Sequence, residues 1–146
     1  MRVLVQRVRN AAVTFEGELL GRIGRGLCVF VGFTHGDGPE EVRRMCGKLV
    51  RLRIFEDDGG KMNRSVVDTG GGILLVSQFT LYGDATKGNR PSFTEAAAPK
   101  EAEALYDGMV RCLRAIAPGP VETGRFGAQM QVELVNDGPV TLLLGK

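Results

Sequence analysis

The segment GGGILLVSQFTLYGD, residues 70–84, decides what kind of fold this chain forms. An apolar run bounded by glycines is typical of a buried strand, so residues 73–82 are predicted to be one. Three polar side chains, Ser77, Gln78 and Thr80, interrupt this run at its centre. A buried polar group costs about 1–3 kcal/mol unless it is paired. Two interpretations follow: these side chains hydrogen-bond to neighbouring backbone or strands, or the strand ends at a pocket that binds a polar ligand.

Further strands are predicted on the N-terminal side of this segment. The run LCVFVGF (27–33) is continuously apolar, which indicates a strand covered on both faces. Residues 2–9 read as a strand with Val3 and Val5 on one face and Leu4 and Val8 on the other, and AAVTFEGELLGRIG (11–24) predicts two short strands that turn at Glu16-Gly17. The chain has 21 glycines in 146 residues, which favours many tight turns and a β-rich fold.

Two segments follow the helical period instead. Residues 34–55 carry apolar side chains at helical spacing, and Asp37 with Glu40 resembles a capping box at the start of that helix. A second helix is predicted to begin at Pro99 and to end at Pro118-Gly119. Its apolar stripe consists of Ala102, Leu105, Tyr106, Met109, Leu113 and Ile116. The loop 83–98 before it is long enough to suggest a function.

The chain approaches its end with QVELVNDGPVTLLLGK (131–146), which predicts a hairpin. Residues 131–135 and 140–144 read as strands, and Asp137-Gly138 is a typical hairpin turn. Pro139 follows at once, and proline belongs at strand edges or in special turns because it lacks a backbone N–H. Together the elements predict an α+β fold. We expect a single compact domain over residues 1–146, with a curved, barrel-like sheet and two main helices.

Composition narrows the classes of function. With 19 basic and 17 acidic side chains, the net charge of +2 does not indicate a broad nucleic-acid-binding face, although it leaves room for a small basic patch. Three cysteines without a C-x-x-C spacing predict buried, reduced thiols. Charges close to the N-terminus argue against a signal peptide, and no apolar stretch has the length of a membrane span. We therefore expect a cytoplasmic protein that does not bind membranes.

The common catalytic arrangements are missing from the sequence. His35 is the only histidine and is expected to be exposed, so neither a zinc site nor a Ser-His-acid triad is predicted. There is no G-x-S-x-G motif and no P-loop, and no metal or cofactor is expected. Arg7 stands out because it shares a strand face with Val3 and Val5. Either its charged head reaches water along an apolar stem, or it has a function.

Four stretches read together resemble one family. They are QRV (6–8), SQFTL (77–81), GNRPSF (88–93) and GRFGAQMQVELVNDGPVT (124–141). The chain resembles the D-aminoacyl-tRNA deacylases (D-tyrosyl-tRNA deacylases), proofreading enzymes of translation, from Met1 to the last strand. The resemblance implies a homodimer with a DTD-like fold. It also implies hydrolysis of the ester in D-aminoacyl-tRNA and in glycyl-tRNA, including glycine mischarged on tRNA-Ala.

The resemblance also implies roles for particular residues. The substrate-facing residues would be Ser77, Gln78, Phe79 and Thr80, and the backbone amides of Phe79 and Thr80 would stabilise the oxyanion. Phe126 and Met130 would line the pocket for the terminal adenosine of tRNA. Gly138 and Pro139 would form a Gly-cisPro chiral selector that enters the partner subunit's site and rejects L-amino acids. Arg7 would brace this dipeptide.

Several alternatives stay open on sequence alone. The ribose 2′-hydroxyl of the substrate would help to activate water, but Thr80 as a covalent nucleophile is a competing mechanism. The chain is alternatively an editing relative that acts on L-alanyl-tRNA and has a trans Gly-Pro bond, or a nucleic-acid-binding module without catalysis. The acceptor end of tRNA is the expected partner. Lys87, Arg90 and Arg125 are either phosphate contacts or ordinary surface charges.

Overall fold

The computed structural model of the protein describes residues 1–145, which form an α+β fold with a curved sheet. The strands are β1 (Arg2–Phe15), β2 (Glu18–Ile23), β3 (Gly26–Gly32), β4 (Phe55–Glu56), β5 (Met62–Arg64), β6 (Gly72–Ser77), β7 (Val121–Thr123) and β8 (Gln131–Gly145). The helices are α1 (Pro39–Arg51), α2 (Val66–Thr69) and α3 (Pro99–Ile116), and a 3-10 turn spans Phe79–Tyr82. The predicted fold class and its two main helices, α1 and α3, are confirmed.

The long strand β1 organises the main sheet. Its first half pairs with β3 and its second half with β2, while β8 runs antiparallel along most of its other edge. The order continues from β3 through β6 to β7 in parallel pairs, whose crossovers are supplied by α1 and α3. The sheet curves back on itself and brings β2 next to β7. The evidence is that a Cβ atom on Gly21 of β2 would lie only 3.0 Å from the Cβ of Glu122 in β7. The barrel-like shape is thus confirmed.

The hydrophobic core lies on both faces of β3. Val29 and Val31 belong to the larger cluster, which also contains the buried faces of α1 and α3. Cys28 belongs to a second cluster, together with Val8 and Leu74. Continuous burial along residues 27–29 and at Val31 confirms the prediction from LCVFVGF. This arrangement holds the ends of β3 and β6 rigidly, which matters for the site described below.

The N-terminal predictions are confirmed with two changes. The turn at Glu16-Gly17 is present, with φ angles of 50° and 80°, but the strand before it and the strand at 2–9 are one continuous strand, β1. The predicted cap of α1 is wrong. Its N-cap is Gly38, whose N–H donates to Glu41 Oε2 at 2.9 Å, because Pro39 occupies the first helical position. Asp37 instead accepts the N–H of Thr34 at 2.8 Å.

The strand predicted over residues 73–82 is wrong beyond Ser77. Gln78 still donates its N–H to the carbonyl of Val31 at 2.7 Å, but β3 ends one residue later, at Gly32. Without a further ladder partner the chain turns into the 3-10 segment 79–82. The polar residues therefore lie at the end of a buried strand and just after it, as the pocket interpretation requires.

The prediction of a C-terminal hairpin is also wrong, because β8 is a single strand. Its two halves do not pair with each other; residues 131–135 pair with residues 10–14 of β1, and residues 141–145 pair with residues 2–6. Between these halves, Gln6 pairs with Thr141 and Val8 with Asn136. One residue of β1 thus lies opposite four residues of β8, Asp137–Val140, which form a bulge. The long β1 offers both halves one continuous edge, which is why no hairpin is needed to satisfy their backbone groups.

The predictions for the cysteines, for His35 and for membrane spans can be compared with the structure one by one. Cys28 and Cys46 are buried and free, while the free Cys112 is only partly buried. His35 is exposed, and its Nε2 lies 2.9 Å from the carbonyl oxygen of Thr94. Among residues 1–145, no helix has both the length and the apolar character needed to cross a membrane.

Candidate active site

A cavity of about 510 Å³ opens where the chain leaves β6. Its walls come from the end of β3, from residues 77–79, from the loop before α3 with the first turn of that helix, and from residues 126–130. Five of the predicted site residues line it: Ser77, Gln78, Phe79, Phe126 and Met130. The structure therefore brings together segments that are about 50 residues apart in sequence.

Two free backbone donors lie where the chain leaves the pocket, one on Phe79, which lines it, and one on Thr80, the next residue. Phe79 and Thr80 begin the 3-10 turn, so their N–H groups have no acceptor within it, and neither makes a hydrogen bond to any of residues 1–145. The turn itself is held by Leu81 N–H donating to the Gln78 carbonyl at 3.2 Å and Gly83 N–H donating to the Thr80 carbonyl at 2.9 Å. Two fixed, unpaired donors at the end of a strand are the arrangement that stabilises an oxyanion.

Thr80 itself does not line the cavity. Its side chain is exposed, and its Oγ1 accepts a hydrogen bond from Nε2 of Gln78. No imidazole, carboxylate or amine of residues 1–145 forms a hydrogen bond or ion pair with this hydroxyl. The side chain of Thr80 therefore helps to orient Gln78 and lacks the adjacent base that activates a nucleophile.

The walls of the pocket are largely aromatic and aliphatic. Phe79 is 55% exposed and packs edge-on against Phe93, with their ring centroids 5.1 Å apart. Phe126 lies 6.0 Å from the ring of Tyr106, whose hydroxyl donates to the Leu75 carbonyl at 2.7 Å. Sequence reasoning missed Phe93 as a wall residue, although it ends the quoted GNRPSF motif. Exposed aromatic faces of this kind stack on nucleic-acid bases.

The pocket has no ionisable side chain among its lining residues, all of which lie within residues 1–145. Tyr106 lies behind the wall against Phe126, and burial raises the pKa of this phenol to about 12, so it stays neutral at physiological pH. The same part of the chain contains no cluster of His, Cys, Asp or Glu side chains arranged to hold a metal ion. The lining can thus bind and polarise a substrate, but it contributes no general base of its own.

Gly138 and Pro139 lie away from this pocket, exposed in the β8 bulge. Their peptide bond is cis, as the resemblance implied, and not trans as expected for the alternative of an L-alanyl-tRNA editing relative. Arg7 does not reach water, since only 6% of it is exposed, and the alternative of a solvated head group is wrong. Its Nε donates to the Asp137 carbonyl at 3.0 Å and its Nη1 to the Ile54 carbonyl at 2.7 Å. Arg7 therefore braces the chain next to the dipeptide, but no part of this bulge contacts its own chain's pocket.

The three basic residues expected near tRNA phosphates are exposed on the surface, at Lys87, Arg90 and Arg125. The guanidinium of Arg125 lies 4.8 Å from the ring centroid of Phe15. Its backbone N–H donates to the sulfur of Met130 at 3.2 Å, which ties it to the pocket wall. Their contact with phosphate stays a prediction.

The barrel-like α+β fold and this uncharged pocket are those of a single-domain ligand-binding protein. A family model described as D-Tyr-tRNA(Tyr) deacylase matches residues 4–145. A D-aminoacyl-tRNA deacylase of Chloroherpeton thalassium is 60% identical over 144 residues, covering 99% of this chain and 95% of that protein. One of Paracidovorax citrulli is 61% identical, with 99% and 92% covered. The chain belongs to the D-Tyr-tRNA(Tyr) deacylase family, and it is a hydrolase that acts on D-aminoacyl-tRNA.

Solved structures agree with this fold. One titled "c-Myc DNA Unwinding Element Binding Protein" is 44% identical and superposes with a TM-score of 0.94, covering 100% of this chain and 99% of that one. Another, titled "Structural Analysis of a probable eukaryotic D-amino acid tRNA deacylase", has a TM-score of 0.83 at 22% identity, with 98% and 97% covered. The second likeness, at this low identity, supports the fold alone.

Proposed function

We propose that this deacylase hydrolyses D-aminoacyl-tRNA and glycyl-tRNA, including glycine mischarged on tRNA-Ala, and rejects L-aminoacyl-tRNA. Water adds to the ester carbonyl, the bond from that carbonyl to the ribose oxygen breaks, and free tRNA and the amino acid leave. The observation that carries the proposal is a pocket whose walls contain no ionisable side chain, together with the unpaired backbone N–H groups of Phe79, which lines it, and of Thr80, the next residue.

In the proposed reaction the protein stabilises charge and the substrate supplies the base. The N–H groups of Phe79 and Thr80 donate to the oxygen that becomes negative when water attacks, which lowers the barrier. The 2′-hydroxyl of the terminal ribose lies next to the ester in the substrate itself and helps to activate the water. This division of labour fits a pocket in which no side chain has a titratable group.

The terminal adenosine is proposed to lie between the apolar walls. Phe126 and Met130 line the pocket and give the base an apolar surface, and Phe93 opposite Phe79 adds a second aromatic edge. Ser77 and Gln78 supply the polar atoms at the floor that orient the ester. Each of these contacts is removable by a single substitution, which makes the assignment testable in KM.

The chiral selector is proposed to act between two subunits. Gly138 and Pro139 are exposed and do not line their own chain's pocket, so they reach an active site only in a second copy. There the backbone carbonyls would hold the amino group and leave no space for an L side chain, whereas glycine has no side chain to exclude. The exposed apolar side chains of Val135 and Leu143 on β8, 48% and 63% accessible, support an interface beside this bulge.

The decisive experiment compares three substrates. D-tyrosyl-tRNA and glycyl-tRNA-Ala should lose their amino acid within the assay, whereas L-tyrosyl-tRNA should lose it no faster than without enzyme. Equal loss of the D and L esters would remove the chiral filter, and survival of the D ester would remove the catalytic proposal. Sedimentation of the free enzyme should give twice the monomer mass of 15.7 kDa. A monomer that still discriminates would contradict the shared site.

Thr80 separates the proposed mechanism from its competitor. Thr80→Ala keeps the backbone N–H but removes the hydroxyl, so we expect kcat to stay within about tenfold of the parent enzyme. Thr86→Ala, in an exposed loop, is the matched control. A covalent nucleophile would instead make Thr80→Ala nearly inactive, with kcat lower by about 10³ or more, and burst kinetics would then be expected in the parent enzyme.

Nucleic-acid binding without hydrolysis is the second candidate. It is favoured by the name of the 44% identical structure, which describes a DNA-binding protein. A single-stranded DNA of the same length as the tRNA acceptor end distinguishes it, because an editing enzyme should bind the tRNA more tightly and should hydrolyse the D ester. The L-alanyl-tRNA relative is excluded or supported in the same assay by including L-alanyl-tRNA.

A further inference from the structure

The exposed side of α1 carries a concentrated positive charge that the proposed function has not used. Residues 42–55 contain five basic side chains and no acidic one, whereas the whole chain has a net charge of only +2, so the remainder of the chain is net negative. Three of the five lie at positions i, i+4 and i+7 of α1 and a fourth follows its end. We call this surface the basic face; it consists of Arg44, Lys48, Arg51 and Arg53.

The basic face surrounds a shallow cleft of about 420 Å³ lined by Lys48, Arg51, Leu52 and Arg53. Arg53 is held in place by two hydrogen bonds of 2.9 Å, from its Nε and Nη2 to the backbone and side-chain oxygens of Asn63. Arg44 donates from Nη2 to Glu41 Oε1 at 3.1 Å, whereas Lys48 and Arg51 form neither an ion pair nor a hydrogen bond with any of residues 1–145. Both residues lie in the last turn of α1, where the helix dipole favours cations, so their charges cost the helix nothing and can bind an external anion.

The position of the cleft connects it to the proposed chiral selector. Ile54, the residue after Arg53, accepts a hydrogen bond from Nη1 of Arg7 at 2.7 Å, and the same guanidinium holds the carbonyl of Asp137 at 3.0 Å. The basic face and the bulge with Gly138 are thus fixed to each other by a buried side chain. Wherever the bulge enters a partner subunit's pocket, the basic face accompanies it.

We propose that the basic face binds the sugar–phosphate backbone of the tRNA acceptor stem whose terminal adenosine occupies the partner subunit's pocket. This inference rests on the proposed function and adds a second contact region for the same substrate. Side chains four residues apart on a helix are about 5–6 Å apart, and the face extends roughly 10 Å from Arg44 to Arg51. It therefore spans more than one phosphate of an RNA strand, and its contacts are independent of base sequence.

The test replaces two cations and measures tRNA binding and hydrolysis separately. Lys48→Ala/Arg51→Ala should bind uncharged tRNA about tenfold more weakly at 0.1 M salt, and the slope of log K against log salt should fall by about 2. On D-tyrosyl-tRNA the KM should rise by a similar factor while kcat is unchanged. On D-tyrosyl-adenosine, which lacks the acceptor stem, kcat/KM should equal that of the parent enzyme.

Arg22→Ala/Arg111→Ala is the matched control, because both residues are exposed and their removal changes the net charge equally. Binding by Lys48→Ala/Arg51→Ala equal to the parent's or to this control's would overturn the proposal, as would an equal loss on D-tyrosyl-adenosine. If the parent enzyme hydrolyses no D ester, the proposed function fails, but the binding measurements with uncharged tRNA still decide the role of the basic face. Unchanged thermal unfolding of the variant shows that α1 is intact.

Discussion

At the scale of single residues, Arg7 links two parts of the chain that are far apart in sequence. It is a buried cation that reaches two carbonyl oxygens separated by most of the chain, those of Ile54 and Asp137. Hydrogen bonds to charged groups contribute about 1.5–3 kcal/mol, and unpaired buried acceptors are costly. The side chain therefore determines where the bulge stands relative to the core.

Arg7→Ala should lower the free energy of unfolding by about 1–3 kcal/mol and should also let L-tyrosyl-tRNA be hydrolysed, because the bulge loses its brace. Urea denaturation and the L-ester assay measure these two effects. Arg9→Ala is the control: Arg9 also lies near Asp137, with 3.5 Å from Nε to Oδ1, but its side chain is 72% exposed. An equal effect of both substitutions would show that general charge, not the brace, matters.

The position of Gly138 in the bulge requires a glycine. Its φ angle is +137°, and a Cβ atom would lie 2.8 Å from Cγ2 of Val140 and 3.2 Å from Nη2 of Arg7. Both the backbone conformation and the available space therefore oppose a side chain. The glycine keeps the dipeptide exposed while the arginine approaches it from within.

At the scale of elements, the site depends on how tightly the 3-10 turn packs on the end of β3. A Cβ atom on Gly32 would lie 2.8 Å from the carbonyl oxygen of Gln78 and 3.3 Å from Cβ of Leu81. No real Cβ stays that close to a backbone oxygen, so the turn would have to move. The donors of Phe79 and Thr80 would move with it.

If Phe79 and Thr80 donate to the oxyanion as proposed, Gly32→Ala should lower kcat by about tenfold to a hundredfold, because displacing such donors by about 1 Å is enough for this loss. Initial rates on D-tyrosyl-tRNA under saturating conditions measure it. Gly24→Ala is the matched control, since a Cβ at Gly24 meets no atom within 4 Å. A Gly32→Ala enzyme with the parent's kcat would mean that the turn does not position the donors.

At the scale of the whole molecule, a buried thiol and a buried phenol make the stability depend on pH. Burial raises the pKa of the Cys28 thiol from 9.0 to about 12 and that of the Tyr106 phenol from 10.0 to about 12. The unfolded chain releases these protons from about pH 9 upward, whereas the folded chain keeps them. Protons are then bound more strongly by the folded state, so stability is lost as the pH rises above 9.

These two groups should therefore leave the urea midpoint nearly unchanged below pH 9 and should lower it at pH 10 and above. Denaturation curves at pH 7.5, 9 and 10.5 measure this change. Cys28→Ala removes one of the two groups, so its midpoint should start lower, because a buried sulfur is lost, but should fall less steeply with pH. A parent midpoint that is the same at pH 7.5 and 10.5 would contradict the assignment.

Strands, helices and motifs whose causes are local could be predicted from the sequence alone. The apolar run 27–33 has the length and composition of a strand covered on both faces, and the helical period of α1 and α3 repeats over whole turns. Ser77–Thr80 are neighbours along the chain however it folds. The loop before α3 was recognisable by its length, but its contribution of Phe93 to the pocket was not, because that contact depends on where β6 ends.

Only the tertiary structure decided the pairing of β8 and the partners of Arg7. Alternation over 131–135 and 140–144 is the same whether these residues pair with each other or with a third strand, and Asp137-Gly138 suits a turn as well as a bulge. The 14-residue length of β1 selected the second arrangement by offering both halves one edge. Arg7 meets a carbonyl 130 positions away, and such a contact is set by the packed sheet, because no local pattern encodes the distance between strands.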